Sequence, residues 1–298
     1  VSARLTDLSG RTAVVTGGSR GIGRAVAAVL AERGAHVVLA VRDQEQGRAA
    51  AAAMLGDVEV RPLDLGSLAS VRAFADGLPG RVDLLVNNAG TMSSTRQETA
   101  DGFERQLGVN HLGPFALTNL LLGRITGRVV SVTSSAHRGA RIDFDDLQWE
   151  HRPYTPFGAY GQSKLAVLLF TAELQRRLAA AGSPVLATAA DPGWAATDFT
   201  VSTGSRAGDL AFGLGTRLLA QSPAGGARPT LLAALGDVPG GSLAAPRWFG
   251  VRGPARVVAA APAAGDPEVA ARVWAESEAL TGVRFPRAAV DQGRRAAN

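Results

Sequence analysis

From Thr12 to Ala189 the chain repeats one pattern, a short β-branched or apolar run followed by a longer stretch of helical spacing. The runs are Thr12–Thr16, His36–Val41, Val58–Pro62, Val82–Val86, Arg128–Thr133 and Pro184–Ala189. Helical spacing is read over Ile22–Arg33, Gln44–Leu55, Leu68–Ala75, Phe103–Leu122 and Ala159–Ala181. Runs this short and apolar suit strands buried on both faces, which requires helices on both sides of a parallel sheet. Right-handed crossovers then wind the chain into an α/β, Rossmann-like doubly wound parallel sheet. At 298 residues and 46% hydrophobic, the chain has material for one large domain, and no linker divides it.

Beyond Pro192 the pattern loosens. Gly193–Gln221 holds several Gly and Ser residues around the apolar patch Leu210–Leu219, a composition that suits either a C-terminal lid over a substrate or an ordinary surface helix. A helix from about Ser222 to Leu235, a strand near Gly250 and a helix over Asp266–Leu280 complete the expected domain, with Arg287–Asn298 as a frayed tail.

Composition excludes several classes. There is no cysteine, so disulfides, thiolate catalysis and thiolate zinc sites are out. No apolar run has membrane-spanning length, and Val1–Gly10 carries no basic-then-apolar signal, so a cytoplasmic protein is expected. The net charge of +5 comes from arginines scattered along the chain without interleaved aromatics, which speaks against nucleic acid as partner. His137 and His151 lack a neighbouring ligand set and read as surface or loop residues. Asp143, Asp145 and Asp146 read as a solvated turn, so no metal site is expected.

Two features carry chemistry. Thr16-Gly17-Gly18-Ser19-Arg20-Gly21-Ile22-Gly23 stands between the first strand and the first helix. Glycines there let backbone N–H groups and a helix N-terminus approach a pyrophosphate. The second strand ends at Arg42, without the acid that holds a ribose hydroxyl in NAD sites. Arg42 and Arg20 together favour the 2′-phosphate of NADP(H), with Asp43 read as the cap of the following helix. The other feature is a lysine, the only one among 31 basic residues, at Lys164, four positions after Tyr160. On a helix those positions share a face and present a phenol and an ammonium to one cleft.

With Asn87-Asn88-Ala89-Gly90 after strand four, Asn110, Ser134-Ser135 after strand five, Tyr160-x-x-x-Lys164 and Pro192-Gly193 followed by Thr197, the chain resembles the short-chain dehydrogenase/reductase family over nearly its whole length. Val109-Asn110-His111-Leu112-Gly113, Ser134-Ser135-Ala136-His137-Arg138, Ile142–Leu147 and Leu280-Thr281-Gly282-Val283 resemble its retinol-dehydrogenase-like branch. The resemblance implies an NADP(H)-dependent carbonyl reductase or alcohol dehydrogenase acting on a small carbonyl or alcohol substrate. Tyr160 would be the general acid or base, and Lys164 the cation that makes it more acidic and binds ribose. A cation about 4 Å away is worth up to about 4 kcal/mol at an effective dielectric near 20, before desolvation opposes it.

The family pattern assigns the serine role to Ser135 rather than Ser134, and Asn110 to a water-linked relay toward the lysine. Asp64 and Leu65 would lie beside adenine; Asn88, Ala89 and Gly90 would line the ribose and nicotinamide side. Gly17, Ser19, Gly21, Ile22 and Gly23 would hold the phosphates. Pro192, Gly193 and Thr197 would meet the carboxamide end, while Trp194 and Phe199, which follow Pro192-Gly193, fit a substrate contact no better than a role away from it. Tyr154 fits either the pocket wall or packing. Reduction of a C=C bond on the same scaffold, or a non-catalytic NADP-sensing protein, are the rival readings. Two departures from the branch pattern stand out, Asp191-Pro192-Gly193 in place of His-Pro-Gly and Val167 in place of Asn, while the connection Gly123–Gly127 looks clipped. They leave substrate preference and oligomeric state, monomer or homo-oligomer, open.

Overall fold

A computed structural model describes residues 7–194, 221–248 and 250–286. Its strands are β1 (Thr12–Thr16), β2 (His36–Val41), β3 (Val58–Pro62), β4 (Val82–Asn87), β5 (Ile125–Val132), β6 (Leu186–Ala190), β7 (Leu243–Trp248) and β8 (Arg252–Val258). They form one sheet in the order β3-β2-β1-β4-β5-β6-β7-β8. All neighbours are parallel except β7 and β8, which pair antiparallel.

Alternation along the central strands explains why the sequence runs are apolar throughout. Val14, Val38, Leu85 and Val129 enter one core with Phe74, Phe115, Phe170, Leu174 and Trp274. Their neighbours Val15, Leu39, Val86 and Val130 enter the other, with Val26, Leu30 and Ala233. The first face is covered by α3 (Leu68–Gly77), α5 (Gly113–Leu121), α6 (Pro156–Ala180) and α8 (Pro267–Thr281). The second is covered by α1 (Gly21–Glu32), α2 (Gln44–Ala52) and α7 (Pro223–Leu235). Asp43 caps α2 by accepting the Gln46 N–H at 3.0 Å, as expected, and Ser67, Ser222 and Asp266 cap α3, α7 and α8.

Three local departures from the sequence expectation have physical causes. The helix expected over Phe103–Leu122 is interrupted: α4 (Arg105–Leu107) passes into a π-helical turn, Gly108–Leu112, before α5 begins. The turn carries Asn110, whose amide bonds both the N–H and the carbonyl of Thr91, at 2.7 and 3.0 Å. β5 starts at Ile125, after a 3₁₀ turn at Leu122–Arg124, so the second part of the clipped connection is strand, and β5 ends one residue early, at Val132. Finally, two strands flank Gly250 where one was expected. Pro246 stands beside a register shift of β7, and Pro254 lies in the edge strand β8, the two settings in which a sheet tolerates proline.

The acidic turn is not simply solvated. Asp146 accepts the backbone N–H groups of Glu150 and Arg152, and the Arg152 guanidinium reaches Asp143 at 2.6 Å and stacks 3.7 Å from the Trp149 ring centroid. His151 is exposed, whereas His137 lies in the turn after β5, as a loop residue, but is fully buried rather than at the surface. Tyr154 packs, donating to Glu104 at 3.1 Å and resting on Trp149. Thr197, Phe199, most of the expected lid and the tail 287–298 lie outside the described residues. The described residues on either side of that segment are joined, because Gln221 N–H donates to the Trp194 carbonyl at 2.8 Å.

Candidate active site

The carboxyl ends of the parallel strands open on a cleft of about 570 Å³. Its walls include Gly17, Ser19, Arg20, Gly21, Ile22, Gly23, Arg42, Asp64, Leu65, Asn88, Ala89, Gly90, Tyr160, Lys164, Pro192 and Gly193. A doubly wound sheet places its ligand in this position.

The glycine turn fits a dinucleotide on two counts. A Cβ at Gly23 would come within 2.5 Å of the Gly17 backbone carbonyl and would also strike Asn88, so this position needs glycine for the loop to fold against its neighbours. Gly17 also needs its φ of 66°. Moreover, α1 begins at the cleft with no side-chain cap, leaving its first N–H groups for an anion. Thr16 joins this turn to the loop after β4: its hydroxyl accepts the N–H groups of Asn88 and Ala89, both at 3.0 Å. Asn88 returns an amide bond to the Thr16 carbonyl at 2.9 Å. Arg20 and Arg42 line the end of the cleft near β2, where a 2′-phosphate would sit, and Asp64 accepts the Gly66 N–H at 2.8 Å at the end of β3.

At the other end of the cleft, α6 supplies Tyr160 and Lys164 from one face. Tyr160 is partly open to the cleft and hydrogen-bonds the Ser134 side chain. Ser134 lines the cleft, whereas Ser135 is exposed in the 3₁₀ turn that follows. The cause is the early end of β5. Thr133 turns its hydroxyl to the Lys164 carbonyl at 2.8 Å, which leaves the next residue, Ser134, facing the cleft. The geometry therefore puts Ser134, and not the expected Ser135, beside Tyr160 in the cleft.

Lys164 is buried, and its ammonium donates to the Val132 carbonyl at 3.1 Å, 5.6 Å from the Tyr160 ring centroid. Burial pulls it down to about 8, opposed by the charge of Asp191. Tyr160 goes the other way from the sequence expectation. Burial, assisted by Asp191, pushes it up to about 12 against the Ser134 hydrogen bond, so the protein on its own holds the phenol neutral. Asn110 meets α6 directly, donating to Ser163 Oγ at 2.9 Å, which in turn donates to the Tyr160 carbonyl at 2.8 Å. It thus fixes the first turns of α6. A Cβ on Gly90 would stand 3.2 Å from Lys164 Nζ and 3.4 Å from Asn110 Oδ1, so the glycine clears the space in which both groups act.

One residue of the site carries no role in the sequence reading: Asp191, there a departure from the branch pattern, is 2% exposed beside Lys164. No group of three His or acidic residues placed to hold a metal occurs among the described residues, and none of their helices is long and apolar enough to cross a membrane.

Comparison with known proteins agrees with this geometry. A family model described as short chain dehydrogenase matches residues 11–207. Retinol dehydrogenase 13 from Homo sapiens is 44% identical over 94% of this chain and 87% of its own length. Polyprenol dehydrogenase from Mus musculus is 43% identical over 92% of this chain and 84% of its own. Among solved structures, an uncharacterized protein from Mycobacterium Paratuberculosis superposes with a TM-score of 0.83 at 51% identity, covering 95% of this chain and 98% of that one. An active-site complex of Pseudomonas aeruginosa RhlG with NADP gives 0.52 at 31% identity, over 65% and 76% of the two chains. With the glycine turn, the Tyr160–Lys164 face and the sheet order all in place, the chain belongs to the short-chain dehydrogenase/reductase family of oxidoreductases, in its retinol-dehydrogenase-like branch.

Proposed function

We propose that this protein is an NADP(H)-dependent oxidoreductase that interconverts a ketone or aldehyde and the corresponding alcohol. The observation that carries the reading is the meeting of Tyr160, Ser134 and Lys164 in the cleft that also holds the uncapped end of α1. The nicotinamide, when bound, gives or takes the hydride. In reduction the Tyr160 hydroxyl hands its proton to the substrate oxygen as that oxygen becomes an alcohol, and in oxidation the phenolate takes it back. Ser134 Oγ holds the substrate oxygen and stabilises charge as it develops. Lys164, placed between Gly90 and Val132, stabilises the phenolate and would hold the ribose of a bound cofactor. Asn110, through Ser163, keeps the turn that bears Tyr160 in register.

Arg20 and Arg42 support NADP(H) over NAD(H). The names of two relatives, retinol and polyprenol dehydrogenase, support a hydrophobic alcohol or carbonyl as substrate. Initial rates with NADPH and NADH at matched concentrations test the cofactor. The expected result is a preference for NADPH of tenfold or more, at least about 1.4 kcal/mol, that collapses in Arg20→Ala/Arg42→Ala while the NADH rate holds. Equal rates in the unmodified protein would refute the cofactor assignment. Product analysis with an enone should show the carbonyl reduced and the C=C bond intact.

A further inference from the structure

Asp191 is a buried carboxylate that the reaction described above does not use. The sheet fixes its place. Ala190, the last residue of β6, pairs with Val132, the residue whose carbonyl accepts the Lys164 ammonium. Thr133 N–H donates to the Ala190 carbonyl and Asp191 N–H to the Ala244 carbonyl, each at 2.8 Å. With strands about 4.8 Å apart, the carboxylate springs from the position next to the ammonium's anchor. One of its oxygens accepts the Gly193 N–H at 2.9 Å. The charged and titratable groups that face it are Tyr160 and Lys164 of α6, and His137 and Arg138 of the turn after β5. A buried carboxylate with one backbone hydrogen bond is costly, and burial makes Asp191 a weaker acid than usual while the surrounding positive groups oppose that.

We propose that Asp191 is a positioning residue that works through Lys164, keeping the buried ammonium charged so that the charge is present when Tyr160 exchanges its proton. The inference rests on the roles assigned above to Tyr160 and Lys164. The Val132 carbonyl orients the ammonium but brings no net charge, so it offsets desolvation only in part. A lysine drawn down to about 8 while the phenol stands near 12 loses its proton before the phenol does. The carboxylate beside the pair counters this loss. The same negative charge makes Tyr160 a weaker acid, so one residue moves both groups toward alkaline values and with them the pH window of the reaction.

Lys164 is the only lysine, so protein labelled with lysine carrying carbon-13 at Cε gives one resonance whose titration reads this ammonium directly. Asp191→Asn keeps an oxygen for the Gly193 N–H and removes the charge. In this variant the Lys164 midpoint is expected to fall by about half a pH unit or more, and the alkaline limb of kcat to move the same way. A loop-forming role alone would move neither, and a midpoint equal to that of the unmodified protein overturns the proposal. Should the variant not fold, the unmodified protein still decides. Its Cε resonance is expected to show a second inflection as Asp191 takes up a proton in acid, and a single-step curve overturns the proposal. The titration is made without substrate, so full activity in a Lys164→Met enzyme would sink the proposed function and leave this result standing.

Discussion

The sharpest perturbation of the proposed mechanism is Lys164→Met, which removes the ammonium and keeps a flexible apolar chain of similar length. The ammonium lies 5.6 Å from the Tyr160 ring centroid. At that distance and an effective dielectric near 20, a unit charge stabilises the phenolate by about 3 kcal/mol, or about two pK units. Oxidation of an alcohol passes through partial phenolate character, so kcat at neutral pH should drop about a hundredfold. The variant is expected to fold with a lower melting temperature, because removing the ammonium leaves the buried Asp191 carboxylate without its neighbouring positive charge and the Val132 carbonyl without its donor. The assay is alcohol oxidation followed by the absorbance of the reduced nicotinamide, with circular dichroism and a thermal melt as controls.

The pH dependence adds a second check. Lys164 carries its charge below about 8, so the gap between the two proteins is widest there and narrows as pH rises and the lysine discharges. Lys164→Arg separates charge from shape. The slot is bounded by Gly90, where a Cβ would already come within 3.2 Å of Nζ, and by the Val132 carbonyl, so a guanidinium fork cannot enter it in the same pose. Arg is therefore expected to lose most activity despite its charge. A Met enzyme within threefold of the unmodified rate, under conditions where both are folded, would refute the role given to the ammonium.

The serine position is tested by a pair: Ser134→Ala should lower kcat by about a hundredfold, the usual cost of losing one donor to a developing oxyanion, while the exposed Ser135→Ala stays near the unmodified rate; the reverse order would return the role to Ser135. His111 makes the fold acid-sensitive. It is buried against Phe115 and Phe170, donates or accepts at Ser277 Oγ over 2.8 Å, and burial depresses it from 6.5 to about 3. A depressed value means that its contribution is fully present above about 6.5 and is lost as pH falls toward 3, about 2 kcal/mol by pH 5. Urea denaturation at pH 7 and 5 should show that extra loss in the unmodified protein and not in His111→Gln; equal losses would disprove it. Gly90→Ala should raise the Michaelis constant for the cofactor and lower turnover together, because its Cβ enters the space shared by Lys164 and Asn110; unchanged steady-state constants would contradict that crowding.

What the sequence discloses about this fold and site depends on whether a property is local. The six expected strands are all present because burial on both sheet faces forces a continuous apolar run, a signal carried by the strand itself. The edge hairpin of β7 and β8 is less legible, since Pro246 and Pro254 look like breaks until a register shift and a sheet edge accommodate them. Ser134 shows the same dependence at the scale of one residue. Which serine faces the cleft follows from β5 stopping at Val132 and from Thr133 bonding to α6, a contact 31 positions away in the chain. Acidity is the least local property of all. The four-residue spacing puts Tyr160 and Lys164 on one helix face, and the family resemblance implies a phenol made more acidic by its neighbour. The folded site instead pushes the phenol up and the ammonium down, because burial acts on both and the spacing says nothing of burial. The groups that decide the balance, the Val132 carbonyl and the Asp191 carboxylate, come from two other strands, β5 and the end of β6. Motif spacing therefore shows which groups share the cleft, while the charge each one carries is set by how the sheet brings β5 and β6 beneath α6.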